Sequence, residues 1–228
     1  MPVFGGFPHE TIRFLRELRD NDDKDWFDAH RADYEAFWVT PAKAFVVAAG
    51  QQLAELAPRI RAEPRVPGSI FRINRDTRFA RGGGPYKDHL DVWFWEGERR
   101  QAVSGFFARL TPEVLGVGAG CHGLDPERLA RFRQAVAEPR SGAELAGIAE
   151  RLEAAGYRLR GAALKRPPAG VASDGPAGRF LLHKALFVHQ DEPVDERIHT
   201  DAVLATCMRH WRALAPLHRW LTDNVQGG

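Results

Sequence analysis

Cysteine is scarce. The 228-residue chain has two, Cys121 and Cys207, too few for a disulfide framework, so a reducing, cytoplasmic setting is expected. Long apolar runs are missing as well. None approaches the ~18 residues of a spanning helix, and no membrane partner is expected. The opening Met1-Pro-Val-Phe-Gly-Gly-Phe-Pro has no basic region followed by an apolar stretch, so no signal peptide is expected. An excess of charge of one sign is also lacking. Lys and Arg number 32 against 30 Asp and Glu, a net charge of +2. Near balance argues against a protein that coats nucleic acid and leaves basicity as a local matter.

Several catalytic signatures are absent too. Nine histidines are present, but none stands in H-E-x-x-H or in a close His/Cys cluster, so no metal site and no cofactor is expected. Neither a serine-hydrolase elbow nor a phosphate-binding loop occurs. Cys121 and His122 are neighbours, and on a strand neighbours point apart, which makes a poor catalytic pair. Gly118-Ala-Gly-Cys-His-Gly123 spells G-x-G-x-x-G, but it leaves a meander and meets a helix capped by Asp125, an acid where a phosphate would have to sit. Glycine at 116, 118 and 120 instead strips one strand face of side chains, a place for close packing by a helix or a ligand.

What is present is a core. Hydrophobic residues make up 44% of the chain and charged residues 27%, with six tryptophans, a composition typical of globular domains. Residues 8–20 show a helical stripe of Ile12, Leu15 and Leu18. Asn21 or Asp22 can cap a second helix carrying Trp26, Phe27, His30, Tyr34, Phe37 and Trp38. Thr40-Pro41 reads as a cap and first-turn proline for a third, and Pro58 to Pro67 reads as a connector. Strands are expected at Ile70–Ile73, Leu90–Trp95, Ala102–Leu110 and Val114–Ala119, joined by short turns and therefore antiparallel. Asp125-Pro126 opens a further helix, and Ser141-x-x-Glu144 reads as a capping box for another that Gly156 closes. Tyr157–Arg160 and Leu186–His189 read as short strands. A last helix begins near Thr200, and Pro216 is expected to kink or break it. The class is α+β: N-terminal helices, a central antiparallel β-meander and C-terminal helices packed on one face of the sheet. A single domain over 1–228 is expected, helical over 8–57, sheet over 69–120 and helical or mixed over 125–222.

One stretch, Ser69 to Asp91, concentrates unusual chemistry. Read as strand, glycine-rich turn and strand, it sets Phe71, Ile73 and Phe79 on one face and Arg72, Asn74, Asp76 and Arg78 on the other. Gly82-Gly-Gly84 frees the turn, Pro85 fixes its exit, and Tyr86 and Lys87 return to the same end. Guanidinium forks grip phosphate or carboxylate in bidentate fashion. The expected ligand-binding residues within this stretch are Arg72, Asn74, Arg75, Arg78, Tyr86 and Lys87. Asp76 is the best candidate for a catalytic group, and its cationic neighbours favour an orienting role over a basic one. A small anionic ligand follows as partner. Neither a reaction nor an oligomeric state follows. Two other readings compete. Phe79, Tyr86, Trp93 and Trp95 could stack on unpaired bases, making a nucleic-acid-associated module. Alternatively, the arginines pair with Asp20, Asp22, Asp23, Asp25 and Asp28 in an internal network, making a structural or partner-binding protein.

Phe71-Arg-Ile-Asn-Arg-Asp-Thr-Arg-Phe79 followed by Pro85-Tyr-Lys87 resembles the signature of the domain of unknown function 2461 family. Thr11-x-x-Phe14-Leu15-x-x-Leu18, Asn21-x-x-Lys24-x-Trp26-Phe27 and Gly116-Val-Gly118 match it as well, so the resemblance covers nearly the whole chain. It implies a fold and no mechanism. The chain departs from the family pattern at Arg81-Gly-Gly-Gly84, where Asp and Lys are usual, and at Pro168-Ala-Gly170, which lacks a basic residue. Lys184 corresponds to a family lysine after a leucine-rich segment, and through the resemblance it joins the expected ligand-binding residues. With Lys165, Arg166 and Arg179 it forms a second basic group.

Overall fold

The structure, a computed structural model, describes residues 4–76, 84–99, 103–168 and 175–226. The N-terminal helices are α1 (His9–Asp20), α2 (Lys24–Ala29), a single turn α3 (Arg31–Asp33), a π-helical segment (Tyr34–Val39) and α4 (Thr40–Leu53). A six-stranded antiparallel sheet contains β1 (Ile60–Arg61), β2 (Leu90–Glu96), β3 (Gly105–Leu110), β4 (Val114–Cys121), β5 (Leu159–Ala162) and β6 (His183–Pro193), in the order β1-β2-β3-β4-β6-β5. The later helices are α5 (Pro126–Ala137), α6 (Pro139–Ala154) and α7 (Ala202–Val225). The protein is α+β, and β2-β3-β4 form the expected meander.

The chain resolves into two compact units. One comprises Met1–Phe94, Phe107–Val117 and Asp191–Arg209; the other comprises Trp95–Phe106, Gly118–Gln190 and His210–Gly228.

The first unit shows how a proline shapes a helix entry. Thr40 does not cap a new helix; it lies in helical conformation, and α4 continues the π-helical segment. Pro41 has no amide to give to the carbonyl of Phe37, and its ring crowds that carbonyl. A widened turn relieves the crowding. The buried Thr11 hydroxyl then donates to Phe37 O, supplying from α1 the hydrogen bond that Pro41 cannot. The cap of α2 is Asp23, whose carboxylate accepts from Trp26 N at 2.9 Å, rather than Asn21 or Asp22. Phe4, Phe7 and Phe45 pack edge-on or tilted, with centroids 5.3–5.4 Å apart, in the core of this unit.

In the second unit, Asp125 caps α5 as its spacing predicts, accepting from Arg128 N at 2.9 Å. α6 starts earlier than its capping-box sequence suggests. Glu138 accepts from the amides of Arg140 and Ser141, and Pro139 occupies the first turn. Gly156, at φ +87°, ends that helix, and Tyr157 N returns to Leu152 O. Gly120 takes φ +125°, and a β-carbon there would lie 2.4 Å from Leu186 O. At Gly120 the close neighbour is the backbone of β6, the adjacent strand of the same sheet, rather than the helix or ligand expected on the glycine-lined face. Two further differences concern chain continuity. Pro216 lies inside α7, which runs on to Val225, so of the expected kink or break the break does not occur. Residues 60–61, read as connector, form a strand.

Candidate functional site

The stretch from Ser69 to Asp91 is less regular than its alternation suggests. Two isolated antiparallel bridges, Ile70↔Val92 and Asn74↔Tyr86, replace the continuous strand expected at Ile70–Ile73. Ser69 and Phe71 pair with Asp91 and Trp93 of β2, through Phe71 N→Asp91 O at 3.0 Å and Trp93 N→Ser69 O at 2.9 Å. Ile73 and Arg75 pair with Pro85 and Lys87, through Arg75 N→Pro85 O and Lys87 N→Ile73 O, both 2.8 Å. Between the bridges one arm advances from 70 to 74 and the other from 86 to 92. The longer arm therefore bulges, and Asp88 and His89 sit in the bulge.

This change of partner resets the faces. Ile70 and Ile73 are both buried, at 0% and 3% exposure, while Phe71 between them is 36% exposed. Phe71 thus leaves the face assigned to it with Ile73 and joins the exposed side with Arg72, Asn74 and Asp76. An unbroken strand would have kept Phe71 with Ile73; a partner switch within four residues does not.

The residues proposed from sequence fall into distinct groups. Arg75 is half-buried and committed: its guanidinium donates to Tyr86 O at 2.8 Å and lies 3.7 Å from an Asp22 carboxylate oxygen. Tyr86 is buried, and its ring stacks on Phe27 at 4.2 Å and 20°. Burial pushes the Tyr86 hydroxyl pKa up. Lys87 reaches back across the arms, its Nζ donating to Arg72 O at 3.0 Å and lying 5.7 Å from the Phe71 ring centroid. Arg72 and Asn74 are exposed, and among the described residues no carboxylate pairs with the Arg72 guanidinium. Asp76 is exposed. Arg78 and Phe79 lie outside the described residues, as do Arg81, Gly82 and Gly83.

Asp22 is a residue that sequence reasoning placed among generic ion-pair acids and as an alternative cap of the second helix. One carboxylate oxygen accepts the amide of Tyr86 at 2.8 Å, and the other faces Arg75. Gly84 completes the fit, since a β-carbon there would lie 2.1 Å from Asp22 O. Two other acids of that segment are occupied elsewhere: Asp23 caps α2, and Asp28 pairs with Lys24 and Arg31.

A second polar cluster adjoins the bulge. His89 lies between two carboxylates, with Nδ1 3.1 Å from Asp88 and Nε2 3.3 Å from Asp91. Asp91 also accepts from Arg109 Nε at 2.6 Å. Burial alone would raise the Asp91 carboxyl, but His89 and Arg109 more than offset it and hold the pKa at about 2. The spacing of β2 and β3 brings Arg109 opposite Asp91, which no short motif announces.

Lys184 belongs to the second unit, where it is exposed and its carbonyl accepts Leu124 N at 3.0 Å. Lys165 and Arg166 are exposed in the same unit. Arg179 is engaged by Glu153 through two hydrogen bonds of 2.8 and 3.0 Å. Also in that unit, Ser104 and His218 form a buried pair at 2.9 Å, and burial pushes the His218 pKa down to about 4.

Among the described residues no group of three or more His, Cys, Asp and Glu side chains could hold a metal ion. Among the described residues no helix is long and apolar enough to cross a membrane. Fold and site together define an α+β protein with a basic, irregular hairpin latched by an aspartate. The family model of a conserved hypothetical protein, DUF2461, matches residues 10–220. The chain belongs to that family. No curated protein and no solved structure matches it.

Proposed function

We propose that the protein binds a small phosphate- or carboxylate-bearing ligand on the exposed side of the hairpin, through Arg72, Lys87 and Asn74. One observation carries this reading: the Lys87 ammonium lies 3.0 Å from the main-chain oxygen of the exposed Arg72, which brings a cation of the returning arm to the backbone of a basic residue on the other. Lys87 spends one donor on that carbonyl and keeps others for a ligand. Arg72 contributes a planar fork suited to either anion. Asn74 adds an exposed amide, and Asp76 serves best as an orienting acid.

Arg75 and Tyr86 take a supporting part in this reading. Arg75 lies against Asp22 and Tyr86 O, so it holds the two arms together. The internal ion-pair alternative thus accounts for Arg75 and leaves Arg72 and Lys87 to the ligand. Base stacking on Tyr86 or Trp95 is disfavoured, since both are buried. A cytoplasmic setting suits the two unpaired, buried thiols.

The test is thermal shift and calorimetry with inorganic phosphate and citrate. A ligand at ~100 times its dissociation constant stabilises by roughly 2.7 kcal/mol. Arg72→Ala should abolish that shift at unchanged intrinsic melting temperature. Arg75→Ala should lower the melting temperature itself. Wild-type affinity in Arg72→Ala would overturn the assignment.

A further inference from the structure

We infer that the ligand carries a flat ring next to its anionic group, as a nucleotide does. This rests on the anion-binding reading and names the ligand class more narrowly. The observation is the placement of Phe71. It is 36% exposed, whereas Phe, Trp and Leu side chains fill the buried core. A lone exposed phenylalanine would say little. This one shares its arm with the exposed Arg72 and has the Lys87 ammonium 5.7 Å from its ring centroid.

Its exposure is built in rather than incidental. The Phe71 amide is tied to Asp91 O at 3.0 Å and the Lys87 amide to Ile73 O at 2.8 Å. Both residues are therefore held by main-chain hydrogen bonds, and the partner switch between the bridges turns Phe71 outward. An apolar ring beside cationic groups matches a ligand with the same two parts, a planar base and a phosphate. The base stacks against phenylalanine with little dependence on its identity. The phosphate meets the guanidinium and ammonium. Asn74, also exposed, offers both a donor and an acceptor to a base edge.

Calorimetry on the full chain tests this with four probes: inorganic phosphate, ribose 5-phosphate, adenosine 5′-monophosphate and adenosine. The monophosphate nucleotide should bind roughly tenfold tighter than ribose 5-phosphate, the contribution expected of one stacked base. Phe71→Ala should remove that tenfold margin, Phe71→Trp should keep it, and inorganic phosphate should bind all three proteins alike. Equal binding of the nucleotide and ribose 5-phosphate to the wild type, with phosphate still bound, overturns the ring-bearing ligand and leaves the anion site standing. So does an undiminished margin in Phe71→Ala. Binding of none of the phosphate compounds overturns both readings. A single-stranded oligonucleotide that binds far more tightly than the mononucleotide, with steep salt dependence, overturns the small ligand in favour of a strand.

Discussion

Asp22 accepts the main-chain amide of Tyr86 at 2.8 Å across 64 positions of sequence. The corner between α1 and α2 thereby fixes the returning arm of the hairpin. Asp22→Ala should leave that amide without its acceptor and the half-buried Arg75 without its nearby carboxylate, at a cost of about 1–3 kcal/mol. Asp22→Asn, which keeps one oxygen at the same place, should cost less. Chemical denaturation of the three proteins checks this; equal stabilities would remove the latch.

Gly84→Ala strikes the same contact from the other side. The new β-carbon would lie 2.1 Å from Asp22 O and 2.3 Å from its carboxyl carbon. Main chain on both sides must shift, so a loss of about 1–3 kcal/mol is expected. In the double variant with Asp22→Ala the carboxyl clash is gone, and the two costs should add to less than their sum.

Acid sensitivity should carry two separate signatures. Asp91 has its pKa lowered from 3.8 to about 2. Its stabilisation, about 2 kcal/mol, is complete above the unfolded value and lost as pH falls from 3.8 towards 2. Asp91→Asn should lower stability at pH 7 by about that amount and should match the wild type near pH 2. A constant difference at all pH values would contradict the ion-pair origin.

His218 acts at higher pH. Its folded pKa is pushed down to about 4 from 6.5, so the unfolded chain takes up the proton first. Stability should be undiminished above pH 6.5, decline by about 3 kcal/mol as pH falls to 4, and level off below. His218→Gln keeps a partner for Ser104 and removes the titration. Urea midpoints between pH 4 and 7 should flatten in that variant.

Much of the fold was legible because its signals are local. Asp125-Pro126 announced a helix that starts where it should, and the glycine at 156 ended another. The meander followed from short turns between apolar runs. Errors arose where two local signals competed. Glu138 and Ser141 can both cap, and the carboxylate before Pro139 takes the role. Thr40-Pro41 looked like a cap, but a π-helical segment and a hydroxyl from α1 let the helix run through. The candidate site was half legible. Arg72, Asn74, Asp76 and Lys87 drew attention through charge density and alternation. The outward turn of Phe71 did not, since it depends on which strand each arm pairs with. Asp22 could not be singled out among five nearby acids, because its partner lies 64 residues away. Arg109 met Asp91 only through strand pairing.

Cys121 and Cys207 are buried, at 3% and 0% exposure, and burial pushes both thiols up in pKa. Thiolate character and access together govern reactivity towards electrophiles. The native protein is therefore a silent background for thiol labelling. Arg72→Cys or Phe71→Cys would install the single addressable sulfur, so a fluorophore or spin label could be attached at the hairpin in one step, with no native cysteine first removed.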